Sequence, residues 1–382
     1  MKILLVAIAV TLVPAAEHTS RPADAWRAPV KVSPATPHRD RHSIHSYFNT
    51  NPESPDGKWL LYFTSDTPEA HTGDIRILER ATGKEKVIAR NVVTEDAHRA
   101  ACQQWTSNGR RVVYHDYRKG EWIIAAVDVS TFEERVVTRG RMAGWGQPHS
   151  NLVPIYGPHY APGKHTGLEL LDVESGAIRP VVSAEAVRAK YPELVAKVFG
   201  ERPVSIYFPI LSPDTTRVLF KMSTPLGDDF RSKNASFREL LIAYDIERAR
   251  FLFGHSKWGH PAWHPNSRTV INVPTVLIDS KDGSVRPIAG MPRFPGSHPS
   301  ISPDGRLFAT DVIENARENC GIAVGDLAGD AHAVIHRFDG SQGATSWRPS
   351  HPHPVFSADG RRVYFNVNAG QWTELYVAER GE

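Results

Sequence analysis

The sequence predicts an all-β chain folded as a seven-bladed β-propeller closed by an N-terminal strand. Three observations predict it: a repeated Pro/Asp/Gly turn, a second repeated strand element, and a β-forming segment near the start with no blade of its own. Self-similarity at a period of about 20–50 residues is the signature of propellers and solenoids.

The turn is clearest in Ser54-Pro-Asp-Gly, Ser302-Pro-Asp-Gly and Ser357-Ala-Asp-Gly, with Ser212-Pro-Asp-Thr a near copy. Weaker copies begin at Thr106 and His264. Each leads into β-branched and aromatic residues, as in Trp59-Leu-Leu-Tyr-Phe, which is a turn entering a strand. The second element reads Ile75-Arg-Ile-Leu, Ala125-Ala-Val-Asp, Leu168-Glu-Leu-Leu, Leu241-Ile-Ala-Tyr, Val276-Leu-Ile-Asp, Ile322-Ala-Val-Gly and Leu375-Tyr-Val-Ala. Seven copies of one hairpin unit predict seven blades. The third copy lacks the turn, so its blade is counted on the second element alone.

The last blade lacks an outer strand, which Ala28-Pro-Val-Lys-Val-Ser can supply. Such closure joins the first and last blades and removes exposed edges. The strand around Val30 and Val32 should therefore pair with the blade of Tyr364 and Leu375. A helical insertion interrupted by Pro192 is expected at about 184–198, outside the blades.

Residues 1–15 read as a secretory signal peptide. Lys2 precedes an apolar run from Ile3 to Val13, and Ala15 suits the cut. Residues 16–382 are then one exported propeller domain, periplasmic or extracellular, with no membrane insertion. An oxidising compartment permits disulfides, but only Cys102 and Cys320 are present, expected as separate buried thiols. A formal net charge of +3 is too small to argue for nucleic acid and would suit an anionic substrate. No protein partner is predicted.

The residues before each turn carry the chemistry. His260-Pro, His298-Pro and His353-Pro stand at one equivalent position in three consecutive blades, where earlier blades have Phe208, Cys102 and Thr50. The strand before this turn lies innermost, so equivalent positions form a ring around the channel. His351, two residues before His353, points to the same side of its strand. Packed, hydrogen-bonded structural imidazoles are one reading of any single histidine. For the set, a shared purpose is the stronger reading, because several buried imidazoles at close range are costly. Three such nitrogens can hold a divalent transition metal, and a histidine left over is available as a general base. His38, His42, His45, His71 and His98 are expected in loops or at the surface, with His42 and His45 able to reach the channel mouth. No Gly-x-Ser-x-Gly elbow, phosphate loop or glycosidase carboxylate pair stands out.

The ordered motifs Gly259-His260-Pro-Ala-Trp263, Gly296-Ser297-His298 and His351-Pro-His353-Pro resemble those of the oligogalacturonate lyases. These are seven-bladed propellers that cleave uronate oligosaccharides by β-elimination. His45-Ser-Tyr47-Phe48 resembles that family's first blade, whereas the Ser-Pro-Asp-Gly turns also occur in unrelated propellers of the TolB type. The resemblance implies that His260 is the catalytic base. It implies that His298, His351 and His353 are metal ligands, with manganese the usual occupant. It also implies that Arg238 assists catalysis, though the alignment slips there and Leu240 is the other candidate. His45 and Tyr47 would contact substrate. Arg348 stands where the family has a glutamine ligand. A guanidinium offers no lone pair, so either the metal shell is smaller or Arg348 replaces part of the metal's charge. In both cases Arg348 can grip a uronate carboxylate. The implied partner is an anionic uronate oligosaccharide. The competing expectations are a non-catalytic TolB-like binding propeller and a glycoside hydrolase on the same fold.

Overall fold

The computed structural model describes residues 21–294 and 298–381. The predicted signal peptide, and Gly296 and Ser297 of the second histidine motif, lie outside the described residues. The strands form seven four-stranded antiparallel sheets, each a blade; in six of them the strands run outward from the channel in chain order.

The turn motif works through its serine and aspartate. In the first blade, Ser54 Oγ donates to Asp56 Oδ1 (2.5 Å) and accepts the Trp59 N–H (2.9 Å), while Asp56 Oδ1 accepts the Lys58 N–H. Ser212, Ser302 and Ser357 make the same pair of bonds in their blades. Gly57, Gly305 and Gly360 each take φ near +70°, a conformation that costs glycine little. The second repeated element becomes the third strand of every blade, from Thr72–Glu79 to Glu374–Glu379.

Closure follows the predicted route. Lys31–Pro34 pairs antiparallel with Glu374–Glu379, Val32 opposite Ala378, and supplies the outer strand of the seventh blade. Val30 stops short of the ladder and packs against the core beside it. A second clasp lies between the first and seventh blades. Buried Glu53 accepts from Arg362 (3.1 and 3.2 Å) and from the Tyr364 hydroxyl (2.6 Å). Removing one partner of a buried ionic set leaves the others uncompensated, at about 3–5 kcal/mol. Glu53→Ala should therefore destabilise the chain by that order in thermal or denaturant unfolding. A loss below ~1 kcal/mol, the scale of a surface ion pair, would show that the clasp adds little to closure.

The insertion is two helices, Ala184–Lys190 and Pro192–Phe199, split at Pro192. Ser183 caps the first by accepting the Ala186 N–H, and their buried faces pack on the core shared by the third and fourth blades. Cys102 and Cys320 are separate, buried, free thiols. No helix of the described residues is long and apolar enough to cross a membrane.

The inner strands explain where the histidines go. Ala262–Trp263, Ser300–Ile301 and Val355–Phe356 each begin directly after a His-Pro pair. Proline has no N–H to give a ladder, so the histidine before it sits beyond the strand end, in the segment arriving from the preceding blade. Cys102, Phe208 and His353, at equivalent positions, share φ of 51°, 58° and 48°.

The first blade departs from the repeat. Its inner strand is His42–Ile44, paired with Phe63–Ser65, after which the chain leaves the ladder. Tyr47 and Phe48 thereby enter the channel against His353 and His298, the place the repeat alignment gave to Thr50. Thr50 instead lines the open part of the channel, with Asn51, Gln147, Trp263, Ser300 and Phe356. Among the described residues no titratable side chain lines that cavity, and the titratable cluster lies on the other side of Tyr47 and Phe48.

Candidate active site

At the mouth formed by the segments between blades, four histidines converge. One ring nitrogen each from His98, His298, His351 and His353 lies within 4.8 Å of the others. The expectation for His98 is corrected here: it lies in a connecting segment, but is 1% exposed and packs 4.5 Å from His353 and 4.6 Å from His351 between ring centroids. It missed the repeat alignment because it sits four residues before Cys102, the position equivalent to the other histidines.

Two tautomers are set by neighbours. His298 Nδ1 lies 2.8 Å from Asp311 Oδ2, and His98 Nδ1 lies 3.2 Å from the Pro349 carbonyl. With those nitrogens donating, each Nε2 keeps its lone pair, the outer-shell arrangement of metal-binding histidines. The Nε2 atoms of His98 and His298, Nδ1 of His351 and both nitrogens of His353 are buried without a hydrogen-bond partner among the described residues. Buried polar atoms are rarely left so. Burial pushes His298 and His351 down to about 3, and His98 and His353 well below the usual histidine range, so all four are neutral. Neutral imidazoles with free lone pairs are what a divalent metal requires.

His260 is next to this cluster, 4.2 Å from His298 between ring centroids. It is half-buried, and its ring has no hydrogen bond among the described residues. Its backbone is held instead: Asn272 Oδ1 accepts the His260 N–H at 2.7 Å, and Asn272 Nδ2 donates to the Trp258 carbonyl. Gly259 is required at this turn. Its φ is +67°, and a Cβ would fall 2.2 Å from Asn272 Oδ1. Burial, then His298, lowers the His260 imidazole well below its ordinary value, which leaves it unprotonated and able to accept a proton.

Three basic side chains face the same space. Arg238 stands on the strand Ser236–Asp245, bonded to the Tyr207 hydroxyl at 3.3 Å, with its guanidinium 5.5 Å from the Tyr207 ring. Leu240 is excluded as its alternative, being wholly buried in the core shared with the third blade. The alignment slips because of a β-bulge. Phe220 pairs with Ile242 but Met222 with Glu239, so one residue is extra, and Leu240 takes φ of 75°. Arg348 is half-buried with no side-chain partner among the described residues. Its charge lowers the affinity of His98, His298 and His260 for a proton, which places it beside the cluster.

Lys221 is the third basic group, and sequence reasoning missed it. Its Nζ lies 4.9–5.2 Å from the ring centroids of Tyr207, Phe208 and Trp258. Burial, then Arg238 and Arg348, lowers its pKa strongly. The available signal was a lysine interrupting the apolar run Val218-Leu-Phe-Lys-Met. Behind these groups, buried Arg99 pairs with Glu95, and His159 bridges Glu95 to Ser236 Oγ. Burial opposes the Glu95 charge, but Arg99 and His159 outweigh it and hold the carboxyl below its usual range.

His45 and Tyr47, the substrate contacts implied by resemblance, are 1% and 2% exposed and form the floor instead. Tyr47 stacks on Trp145 at 5.4 Å and meets His353 edge-on at 4.6 Å. His42 is likewise buried, its Nδ1 accepting the Thr373 N–H.

No family model matches the chain, and no curated protein matches it in sequence. Solved structures do match in shape. One is an oligogalacturonate lyase in complex with manganese, 16% identical, covering 93% of this chain and 97% of that one at a TM-score of 0.64. A second, the oligogalacturonate lyase from Vibrio parahaemolyticus, is 16% identical over 92% of this chain and 94% of its own, also at 0.64. The chain shares the fold of the oligogalacturonate lyases. Hydrazine synthase from Kuenenia stuttgartiensis, 13% identical over 89% of this chain and 97% of its own, reaches 0.51. One propeller shape thus carries different chemistries, and function has to be argued from the site.

Proposed function

We propose that this chain is an exported lyase that cleaves uronate-containing oligosaccharides by metal-assisted β-elimination. The observation that supports it most is an unengaged imidazole, His260, set 4.2 Å from a four-histidine cluster and facing Arg348 and Lys221. The fold shared with oligogalacturonate lyases agrees with that reading.

The chemistry follows from acidity. The C5 proton of a uronate is a poor acid while its carboxylate is a free anion. A bound divalent metal, held by the histidine cluster, supplies Lewis acidity toward that carboxylate. Arg348 contributes a fixed positive charge and a planar fork that matches carboxylate geometry. Arg238 is the donor that meets the negative charge developing in the enolate-like transition state. His260 takes the C5 proton. The electron pair of that C–H bond becomes the C4–C5 double bond, the C4–O bond breaks, and the leaving oxygen takes up a proton. Lys221 and Arg238 both lie over the Tyr207 ring, on one side of the same space.

Incubation with a panel of uronic-acid oligosaccharides, followed by mass analysis, tests the reaction class. Elimination should give an unsaturated uronate, lighter by one water than the corresponding hydrolysis product. Saturated products would make the chain a glycoside hydrolase. Absence of cleavage with retained binding across the panel would favour a binding propeller.

A further inference from the structure

We infer that His98 completes an all-imidazole metal site in this chain, and that this donor set selects zinc over manganese. The inference rests on the metal-binding part of the reading above and not on the lyase activity.

The donors come from three separate connecting segments: His98 before the second blade, His298 before the sixth, and His351 with His353 before the seventh. Among the described residues no carboxylate or thiolate joins the four. Asp311 is engaged by the backbone N–H of His298 at 2.5 Å and by its Nδ1 at 2.8 Å. Arg348, three residues before His351, has no lone pair to give. Nitrogens arranged tetrahedrally on one zinc ion lie ~3.4 Å apart, given bonds of about 2.1 Å. The cluster spacing of no more than 4.8 Å therefore needs a closure of at most about 1.4 Å, within reach of side-chain rotation. Imidazole donors suit zinc, copper and nickel, whereas manganese favours oxygen. An all-nitrogen shell thus moves this site away from manganese.

The position of His98 is built for the role. Its Nδ1 faces the Pro349 carbonyl, one residue from Arg348, so the segment carrying Arg348 also orients the fourth imidazole. The orphaned Nε2 points into the cluster, with no hydrogen-bond partner among the described residues.

The test is metal titration of the chelator-stripped chain with Zn²⁺ and Mn²⁺ separately, against a competing chelator, with elemental analysis for stoichiometry. One zinc per chain is expected, bound at least about tenfold tighter than manganese. His98→Ala, checked for fold by circular dichroism, should weaken zinc at least about tenfold, since even outer-shell partners are worth ~10–100-fold. Zinc outranks manganese at most nitrogen sites, so the sharper readout is His98→Gln. Placing an amide oxygen there should cut the zinc-to-manganese affinity ratio at least about tenfold, and this variant serves if His98→Ala fails to fold. An unchanged ratio in His98→Gln, unchanged zinc affinity in folded His98→Ala, or manganese bound as tightly as zinc would each overturn the inference. Neither titration contains substrate. A chain that binds zinc as expected but cleaves no uronate would sink the lyase reading alone, and cleavage with no zinc bound would sink this inference alone.

Discussion

Replacing His260 with alanine should lower turnover by about 10²–10⁴, the usual effect of removing a general base, with bound metal and substrate affinity close to those of the parent. The expectation comes from how the residue is held. Its ring makes no hydrogen bond among the described residues, and its backbone is fixed by Asn272 at 2.7 Å. Losing the imidazole therefore leaves the turn, and the Gly259 conformation beneath it, in place. The ring is not one of the four whose nitrogens cluster, so the metal donors also survive. Steady-state kinetics on uronate oligosaccharides, with metal content measured on each variant, decide the matter. A fully active His260→Ala chain would remove this residue from the mechanism. A variant that loses its metal would instead make His260 a ligand.

Arg238→Ala should lower turnover by about 10²–10³, the scale of losing one preorganised donor to developing negative charge. Arg238→Lys should recover only part of it, because a point charge lacks the planar fork. The guanidinium spends one long bond of 3.3 Å on the Tyr207 hydroxyl, which leaves its remaining donors for substrate. Arg348→Gln should behave differently. Its loss should raise KM more than it lowers kcat, since the residue grips a carboxylate present in substrate and transition state alike. Equal effects of both arginines on kcat alone would contradict this division. Unchanged kinetics and metal content in Arg348→Gln would place Arg348 outside the site altogether.

Much of the architecture was legible because a propeller is periodic. Ser54, Ser302 and Ser357 mark turns whose bonds are local, within five residues, so a short motif carries the whole geometry. The His-Pro pairs were legible for the same reason, since proline ends the inner ladder wherever it falls. The unpaired Val32 segment announced closure because an open blade edge requires a partner.

Where the repeat is broken, the sequence was silent. Tyr47 and Phe48 replace Thr50 at the channel because the first inner strand pairs three residues and then leaves the ladder. Arg238 could not be placed over Leu240 without the bulge that shifts the phase of side-chain alternation. By itself, the sequence determined the seven blades, their closure and the circle of His-Pro motifs, because each rests on contacts between near neighbours or on a repeat. Only the tertiary structure decided that His98 and Lys221 face those histidines, and that His45 and Tyr47 lie beneath them. Those placements depend on segments from blades far apart in the chain meeting across a narrow channel, and no local pattern encodes which of their side chains point inward.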